Sequence, residues 1–406
     1  MFDNFSSGPL NYAALAIPAF FIFVGLEYLA ARQRRSELFK FDSSVANLSI
    51  GVAERLVNLF LTASFYGVFV YVYDHYAIWS IPNNAWVWIG LILATDLVWY
   101  WYHRMGHEIN IFWAAHIVHH QSEEFNYTVS ARITTFQSII RNAFWCLLPL
   151  AGFHPSMVLV TLVIHGTYSF FTHTQVITKL GLLEYILITP SHHRVHHASN
   201  EKYLNKNYGD LFVFWDKIFG TFQREEEAPV YGLTHPLRSY SFLWQHFHYF
   251  MELGYAVRQT RGWLNKLKMI VGPPEMLDQD IRGELEKVYL PNKTAINPGF
   301  RYRAYLVIQV VLVVTILFTV AFWYNVLPVA DIVCGTLFIL ISLINCGALL
   351  EQRRWIFYLE NLRLLLIIGY MGYHFESPGF VVVSALFLVV LIWPMQKWYF
   401  KFIYGV

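Results

Sequence analysis

Long apolar segments alternate with short polar loops along most of the chain. They lie at about 10–31, 47–73, 85–102, 133–152, 156–171, 305–323, 332–350, 362–373 and 380–393. Stretches of about 20 apolar residues can cross a bilayer as helices. The pattern therefore predicts an all-α, polytopic integral membrane protein. The fourth and fifth segments are short and separated only by FHP, so we expect them to form a tight helical hairpin or a partly re-entrant pair.

Basic residues occur in every second loop. The loop after the first segment carries Arg32, Arg34, Arg35 and Lys40, whereas the loop at 75–84 has neither Lys nor Arg. Later loops keep this alternation, and 352–363 is again basic. Because Lys and Arg are retained on the cytoplasmic side, the first loop and the polar end of the third segment are predicted to face the cytoplasm.

Composition agrees with a membrane protein, since 56% of residues are hydrophobic and 14% are charged. The formal net charge of +2 gives no reason to expect a nucleic acid partner. We divide the chain into N-terminal spans (1–84), a histidine-rich core (85–240), an interfacial or cytoplasmic connector (241–303) and C-terminal spans (304–406). Within the connector, aromatic and basic residues at 241–268 predict an amphipathic helix on the cytoplasmic leaflet or, alternatively, a soluble cap helix.

Histidines are concentrated in two short stretches. Residues 102–120 and 192–197 hold nine of the 17 histidines. Their spacings follow helical periodicity, which places neighbours three or four positions apart on one face. The three clusters are His103 and His107; His116, His119 and His120; and His193, His196 and His197. A single histidine in an apolar chain is usually a satisfied core residue, but three clusters at ligand spacing indicate a metal centre.

The number of imidazoles constrains the metal site. Eight nitrogen ligands exceed what one tetrahedral zinc ion uses and suit two metals with open positions. Imidazole binds Fe, Zn, Cu and Ni, so the spacing alone does not identify the metal. Open positions on such a pair could bind dioxygen or activate water. A site between cytoplasm and bilayer favours an apolar, membrane-dissolved substrate.

Acidic residues near the clusters are candidates for supporting roles. Asp96 lies two helical turns before His103 inside an apolar segment, so we expect it to accept the second ring nitrogen of that ligand. The alternative is an acid paired with Arg132 or Arg141.

Neutral imidazoles leave two divalent metals with uncompensated charge, which predicts a bridging hydroxide or a nearby carboxylate. Glu108 directly follows His107 and is the first choice for tuning charge or handling protons, the alternative being a solvated surface acid. The other candidate carboxylates are Glu123, Glu124 and Glu184.

These segments resemble a known family. HRMGHE, HIVHHQSEEFN and SHHRVHH, followed by KNYGDLFVFWDKIFGTF, are similar to the fatty acid hydroxylase and sterol desaturase superfamily of membrane di-iron oxygenases. The likeness covers about 96–222. Within that superfamily, TPSHHRVHH, YGLTHP, Arg132 and the segment at 349–366 are most similar to the alkylglycerol monooxygenases. One departure is Asn205, where the family usually has an acid.

The resemblance implies that the eight clustered histidines bind two iron ions and that His173 is an additional ligand. His192 lies outside the HxxHH frame and is the weaker candidate. It further implies hydroxylation of the ether-bearing alkyl carbon of a glycerol ether by O2, with tetrahydrobiopterin as reductant and a fatty aldehyde as product. The membrane would be a bacterial inner membrane or the endoplasmic reticulum.

Two other functions remain open. The same metals could serve a sterol, carotenoid or fatty acyl substrate, with electrons from a cytochrome or ferredoxin partner. A histidine-rich metal transporter or metal-binding scaffold is a third hypothesis. It is disfavoured because transport sites lie near the membrane midplane between repeats, whereas these clusters lie at the ends of spans and the sequence has no repeat.

Overall fold

The computed structural model describes residues 10–290 and 299–404. The polar stretch 291–298 of the predicted connector lies outside these residues. In the described ranges the chain is helical, and β-pairing is confined to two isolated bridges, Leu187 with Phe212 and Ala198 with Tyr231. The predicted all-α fold is confirmed.

Seventeen α-helices make up the described part of the chain. The first nine are α1 Ala16–Gln33, α2 Phe41–Tyr76, α3 Ala85–Glu108, α4 Asn110–His120, α5 Tyr127–Ser130, α6 Thr135–Trp145, α7 Leu147–Ala151, α8 Pro155–Thr172 and α9 Pro190–His196. The others are α10 Phe214–Ile218, α11 Phe242–Gln259, α12 Trp263–Val271, α13 Asp280–Tyr289, α14 Phe300–Phe322, α15 Val329–Leu350, α16 Ile356–His374 and α17 Pro378–Tyr404.

Six helices in the described ranges are long and apolar enough to cross a bilayer, namely α1 with the turn before it, α2, α3, α8, α14 and α15. A seventh span would be α17 if its two halves, which meet at 68°, cross together. The chain is thus an integral membrane protein. In the predicted hairpin the first arm is divided at Cys146 into α6 and α7, so only the second arm, α8, reaches the length of a span.

Helix α2 is longer than a bilayer requires. Its 36 residues extend about 54 Å, against a hydrocarbon core of about 30 Å. Buried side chains are concentrated in its first half, between Ser43 and Leu56. This half packs against α6, α14 and α15. The helix therefore supports the histidine-rich core with one end and spans lipid with the other.

Helix α11 packs as the cap-helix alternative for 241–268 expects. Its Trp244, Tyr249 and Leu253 are buried in one hydrophobic cluster with Ile117 of α4. It is a core helix because its apolar face is covered by protein rather than by lipid. Only α12, in which no side chain is buried, keeps the exposed apolar surface that an interfacial helix needs.

Candidate metal centre

The first two histidine clusters meet through a sharp reversal of the chain. Ile109 is extended (φ −126°, ψ 122°) and separates α3 from α4, which pack against each other. The last turns of α3 are thereby placed beside α4. The Nε2 atom of His116 lies 3.2 Å from Nε2 of His103 and 3.2 Å from Nε2 of His120.

The third cluster is carried by the short helix α9. Thr189 caps its N-terminus together with His192, and Pro190 occupies its first turn, where a missing N–H costs nothing. Because His192 serves this cap through Nδ1, it stays outside the metal-directed groups. The following residues His193, His196 and His197 all point into the centre.

The structure sorts nine histidines into two sets that cut across the sequence clusters. In each set the ligand-type nitrogens all lie within 4.8 Å of one another. The five-histidine set consists of His103, His107, His116, His120 and His196. The four-histidine set consists of His119, His173, His193 and His197. The sets adjoin, since the rings of His120 and His197 stack with centroids 4.4 Å apart.

Hydrogen bonds to main-chain carbonyls fix the orientation of three of these imidazole rings. His103 Nδ1 donates to Tyr208 O at 2.9 Å, and His196 Nδ1 donates to Lys206 O at 3.0 Å. His173 Nδ1 donates to Ser169 O in its own helix at 2.8 Å. A ring that donates from Nδ1 keeps its lone pair on Nε2, the form that binds a metal. These nitrogens are therefore prepared as ligands.

The closeness of the nitrogens supports a cation between them. In the four-histidine set, Nε2 of His173 lies 3.1 Å from Nε2 of His119 and 2.9 Å from that of His193. Burial lowers the pKa of His173 to about 4 and that of His119 well below its usual range, so both are neutral at pH 7. Lone pairs facing each other repel unless a metal lies between them. Nε2 of His107 is also buried without a protein partner.

The loop at 206–212, called the NYG loop after Asn207–Gly209, supplies two of these carbonyls, those of Lys206 and Tyr208. Asp216 holds it by accepting from Tyr208 N at 2.7 Å and from Gly209 N at 2.9 Å. A Cβ on Gly209 would lie 2.8 Å from Phe212 O and 2.9 Å from the Asp216 carboxylate, so only glycine fits. The motif NYG followed by WD therefore builds the support for His103 and His196. The sequence alone gave no signal for these carbonyls, because any residue has one.

Asp96 acts on this loop rather than on His103. Its Oδ1 accepts from Leu211 N at 2.8 Å and its Oδ2 from Phe212 N at 3.0 Å. Nδ1 of His103 is occupied by Tyr208 O. Asp96 therefore does not bond His103, contrary to expectation, but holds the loop whose Tyr208 carbonyl does. The alternative pairing with Arg132 or Arg141 is not found either.

The candidate bridging acids are placed away from the nitrogens. Glu108 is 43% exposed and forms an ion pair with Arg104 at 2.9 Å, as the surface alternative expects. Glu124 pairs with Lys40 at 2.8 Å, and Glu184 accepts from Ser191 at 2.8 Å. Both metal-directed sets consist of imidazoles alone. None of the four candidate carboxylates, Glu123 included, belongs to either set.

Sequence reasoning missed Glu27, a buried acid in α1. It accepts from Tyr127 N at 2.7 Å and from Thr174 Oγ1 at 2.5 Å. Thr174 directly follows His173, so Glu27 ties the first span to the four-histidine set. The sequence did contain a signal for Glu27, since an acid inside an apolar segment is costly, and the same reasoning had identified Asp96.

Known proteins share this chain's sequence over most of its length. A family model described as fatty acid hydroxylase matches residues 88–221, which contain both histidine sets and the NYG loop. The human alkylglycerol monooxygenase is 33% identical over 88% of this chain and 82% of its own length. The Danio rerio alkylglycerol monooxygenase is 32% identical over the same shares of the two chains.

A more distant relative is an ornithine lipid hydroxylase of Rhizobium tropici, which is 30% identical over 33% of this chain and 40% of its own length. No solved structure matches the chain. The matches to alkylglycerol monooxygenases extend well beyond the histidine-rich core into the terminal spans. The resemblance seen in the motifs is confirmed: the chain belongs to the alkylglycerol monooxygenase family, within the fatty acid hydroxylases.

Proposed function

We propose that this protein is a membrane monooxygenase that hydroxylates the ether-linked alkyl carbon of alkylglycerol lipids. The observation that carries the proposal is the pair of adjoining, all-imidazole sets in a chain whose relatives are named for this activity. The sets lie beside the ends of α3 and α8, two candidate spans, which would place them near the boundary between membrane lipid and the aqueous phase. The basic loop after α1 supports a cytoplasmic location for that side.

We propose that the nine histidines of the two sets hold two iron ions. Five imidazoles exceed the four ligands of a tetrahedral zinc site, whereas iron accepts five or six ligands. Iron bound there supplies the activation of O2. The chain's own contribution is to hold the imidazoles neutral and oriented through Tyr208 O, Lys206 O and Ser169 O.

The reaction inserts one oxygen atom of O2 into the C–H bond beside the ether oxygen. The second oxygen atom leaves as water, with two electrons and two protons from the reductant, which we propose is tetrahydrobiopterin. The resulting hemiacetal collapses to a fatty aldehyde and the free glycerol hydroxyl. Apolar α1 and α8 pack together beside the four-histidine set, with the rings of Phe23 and Phe171 4.9 Å apart, and we propose that the alkyl chain approaches from the bilayer along them.

The test is aldehyde release from a 1-O-alkylglycerol by iron-loaded protein in detergent. Oxygen and tetrahydrobiopterin are supplied, and the controls omit one or the other. We expect aldehyde only when both are present. Two bound irons without aldehyde would contradict the ether-lipid proposal and favour a sterol or acyl substrate with a protein electron donor.

Glu108 is proposed to tune the centre from its edge. Burial raises the pKa of Tyr208, whose ring packs 5.3 Å from that of His107, and Glu108 raises this pKa further while its partner Arg104 lowers it, so removing the acid would leave the arginine's effect unopposed. We expect Glu108→Gln to lower kcat/KM roughly 10- to 100-fold while both metals stay bound. The matched control is Glu226→Gln, which removes the acid of another exposed ion pair, with Lys202. Equal kcat/KM in the two variants would assign Glu108 to the solvated surface.

A further inference from the structure

A third buried polar cluster lies outside both histidine sets. Asp96, His165 and Asp210 each place one polar atom within 4.8 Å of the others. His165 Nδ1 donates to Asp210 Oδ2 at 2.7 Å and lies 3.7 Å from Asp96 Oδ1. The three side chains are at most 2% exposed. Such a cluster is costly to bury among spans, so it calls for a role.

The cluster connects three elements that build the metal centre. Asp96 lies on α3, seven residues before His103, and His165 lies on α8, eight residues before His173. Along a helix these separations are about 10 and 12 Å. The third member, Asp210, belongs to the NYG loop that holds His103. The cluster therefore forms a polar layer that joins α3, α8 and this loop about two helical turns from His103 and His173.

Within this layer the loop is held from two helices at once. Asp96 accepts from two consecutive backbone N–H groups, those of Leu211 and Phe212. Asp210, the residue before them, accepts from His165 on the other helix. The His165 ring is itself kept in place by Trp99 of α3, against which it lies nearly parallel, at 22°. The loop cannot shift without breaking charge-assisted bonds in an apolar surrounding.

We propose that Asp96, His165 and Asp210 form a clamp that positions the five-histidine set. By fixing residues 210–212 it fixes the carbonyls of Lys206 and Tyr208, and with them the rings of His196 and His103. These are positioning residues, which do not touch the metal. The proposal rests on the proposed function only in requiring that the histidine sets bind metals.

The clamp acts selectively. Among the described residues, the ring bonds found for the four-histidine set run between its own members and from His173 to Ser169 O, whereas the NYG loop bonds His103 and His196. Loss of the clamp is therefore expected to weaken one metal site about 10- to 100-fold, the range found when groups that orient ligands are removed. The other site keeps its affinity. A residue that merely stabilised the fold would weaken both sites alike.

The experiment measures metal content of the full-length protein during anaerobic titration with ferrous iron, with Mössbauer spectra to distinguish the two sites. Asp210→Leu removes the acceptor for His165, whereas Asp210→Asn keeps an oxygen there and should rescue binding. His165→Phe removes the donor but keeps a ring against Trp99. The matched control is His246→Phe on α11, since His246 is also buried, bonds Phe242 O through Nδ1 and leaves Nε2 without a partner.

We expect wild type, Asp210→Asn and His246→Phe to bind two irons, and Asp210→Leu and His165→Phe to bind one tightly and one weakly. Two unchanged sites in Asp210→Leu would overturn the clamp, as would equal weakening of both sites. A third ion in wild type that Asp210→Asn releases would also overturn it, since the cluster would then be a metal site. These outcomes are separate from a wild type that binds no iron, which would contradict the proposed function itself.

Discussion

The His119→Ala variant is expected to release no measurable aldehyde and to retain only one of the two metals. His119 belongs to the four-histidine set, and its nearest ring nitrogen in that set is Nε2 of His173 at 3.1 Å. Its neighbours offer no replacement ligand, because the carboxylates near the centre are engaged elsewhere. Loss of groups that only orient ligands costs about 10- to 100-fold, so loss of a ligand should exceed about 100-fold.

The sorting of the histidines makes this prediction more specific than the sequence clusters would. His116 and His120 flank His119 in the same motif but belong to the five-histidine set, which should stay loaded in the variant. The measurement is iron content per chain together with aldehyde release. The control is His192→Gln, which changes the histidine next to a ligand but outside both sets. Two irons in His119→Ala would refute the assignment of this residue.

Arg132→Met is expected to destabilise the protein by at least about 3 kcal/mol, because the guanidinium is buried among groups that would be left unpaired. Arg132 donates to Val118 O at 2.9 Å, to Asn47 Oδ1 at 2.7 Å and to Gln245 Oε1 at 2.8 Å. Burial lowers its pKa to about 9, which still leaves it charged at neutral pH. Its guanidinium thus connects three helices: α2, α11 and the C-terminal end of α4.

Val118 lies between two histidine ligands, so the same variant should also lower iron content in both sets. The checks are thermal unfolding in detergent and iron analysis of the folded fraction. Arg55→Met is a suitable control, since Arg55 lies on α2 and its side chain is 63% exposed. If Arg132→Met unfolded at the same temperature as this control, the buried arginine would not be the link between the three helices.

Much of the architecture could be predicted from the chain alone. Hydropathy gave the membrane class and the positions of the six candidate spans, because the bilayer requires about 20 apolar residues wherever a helix crosses it, although the segments at 133–152 and 362–373 do not qualify as spans. Helical spacing gave the histidine clusters, because neighbours at three and four residues share a face. The resemblance added His173, whose surroundings in the sequence carry no such spacing.

Pairing between distant segments could not be predicted in the same way. The motifs predicted three clusters for two metals but not how they divide, and the structure splits two of the clusters between the sets. Asp96 was identified as a supporting acid, but its partner is a loop more than 100 residues away in the chain. Helix periodicity pointed from Asp96 toward His103, but that ring donates instead to Tyr208 O, which no local pattern could reveal.

Local pattern by itself determined which residues are apolar, which histidines cluster and which face of a helix they share. Only the tertiary structure decided how the nine imidazoles divide, which carbonyls orient them and which polar residues support the loop behind them. The physical reason is that hydropathy and helical spacing are properties of neighbouring residues. Every residue type has a main-chain carbonyl, so the sequence does not show which carbonyl orients a ring. Contacts such as those of Arg132 and His165 form only once separate helices have packed together.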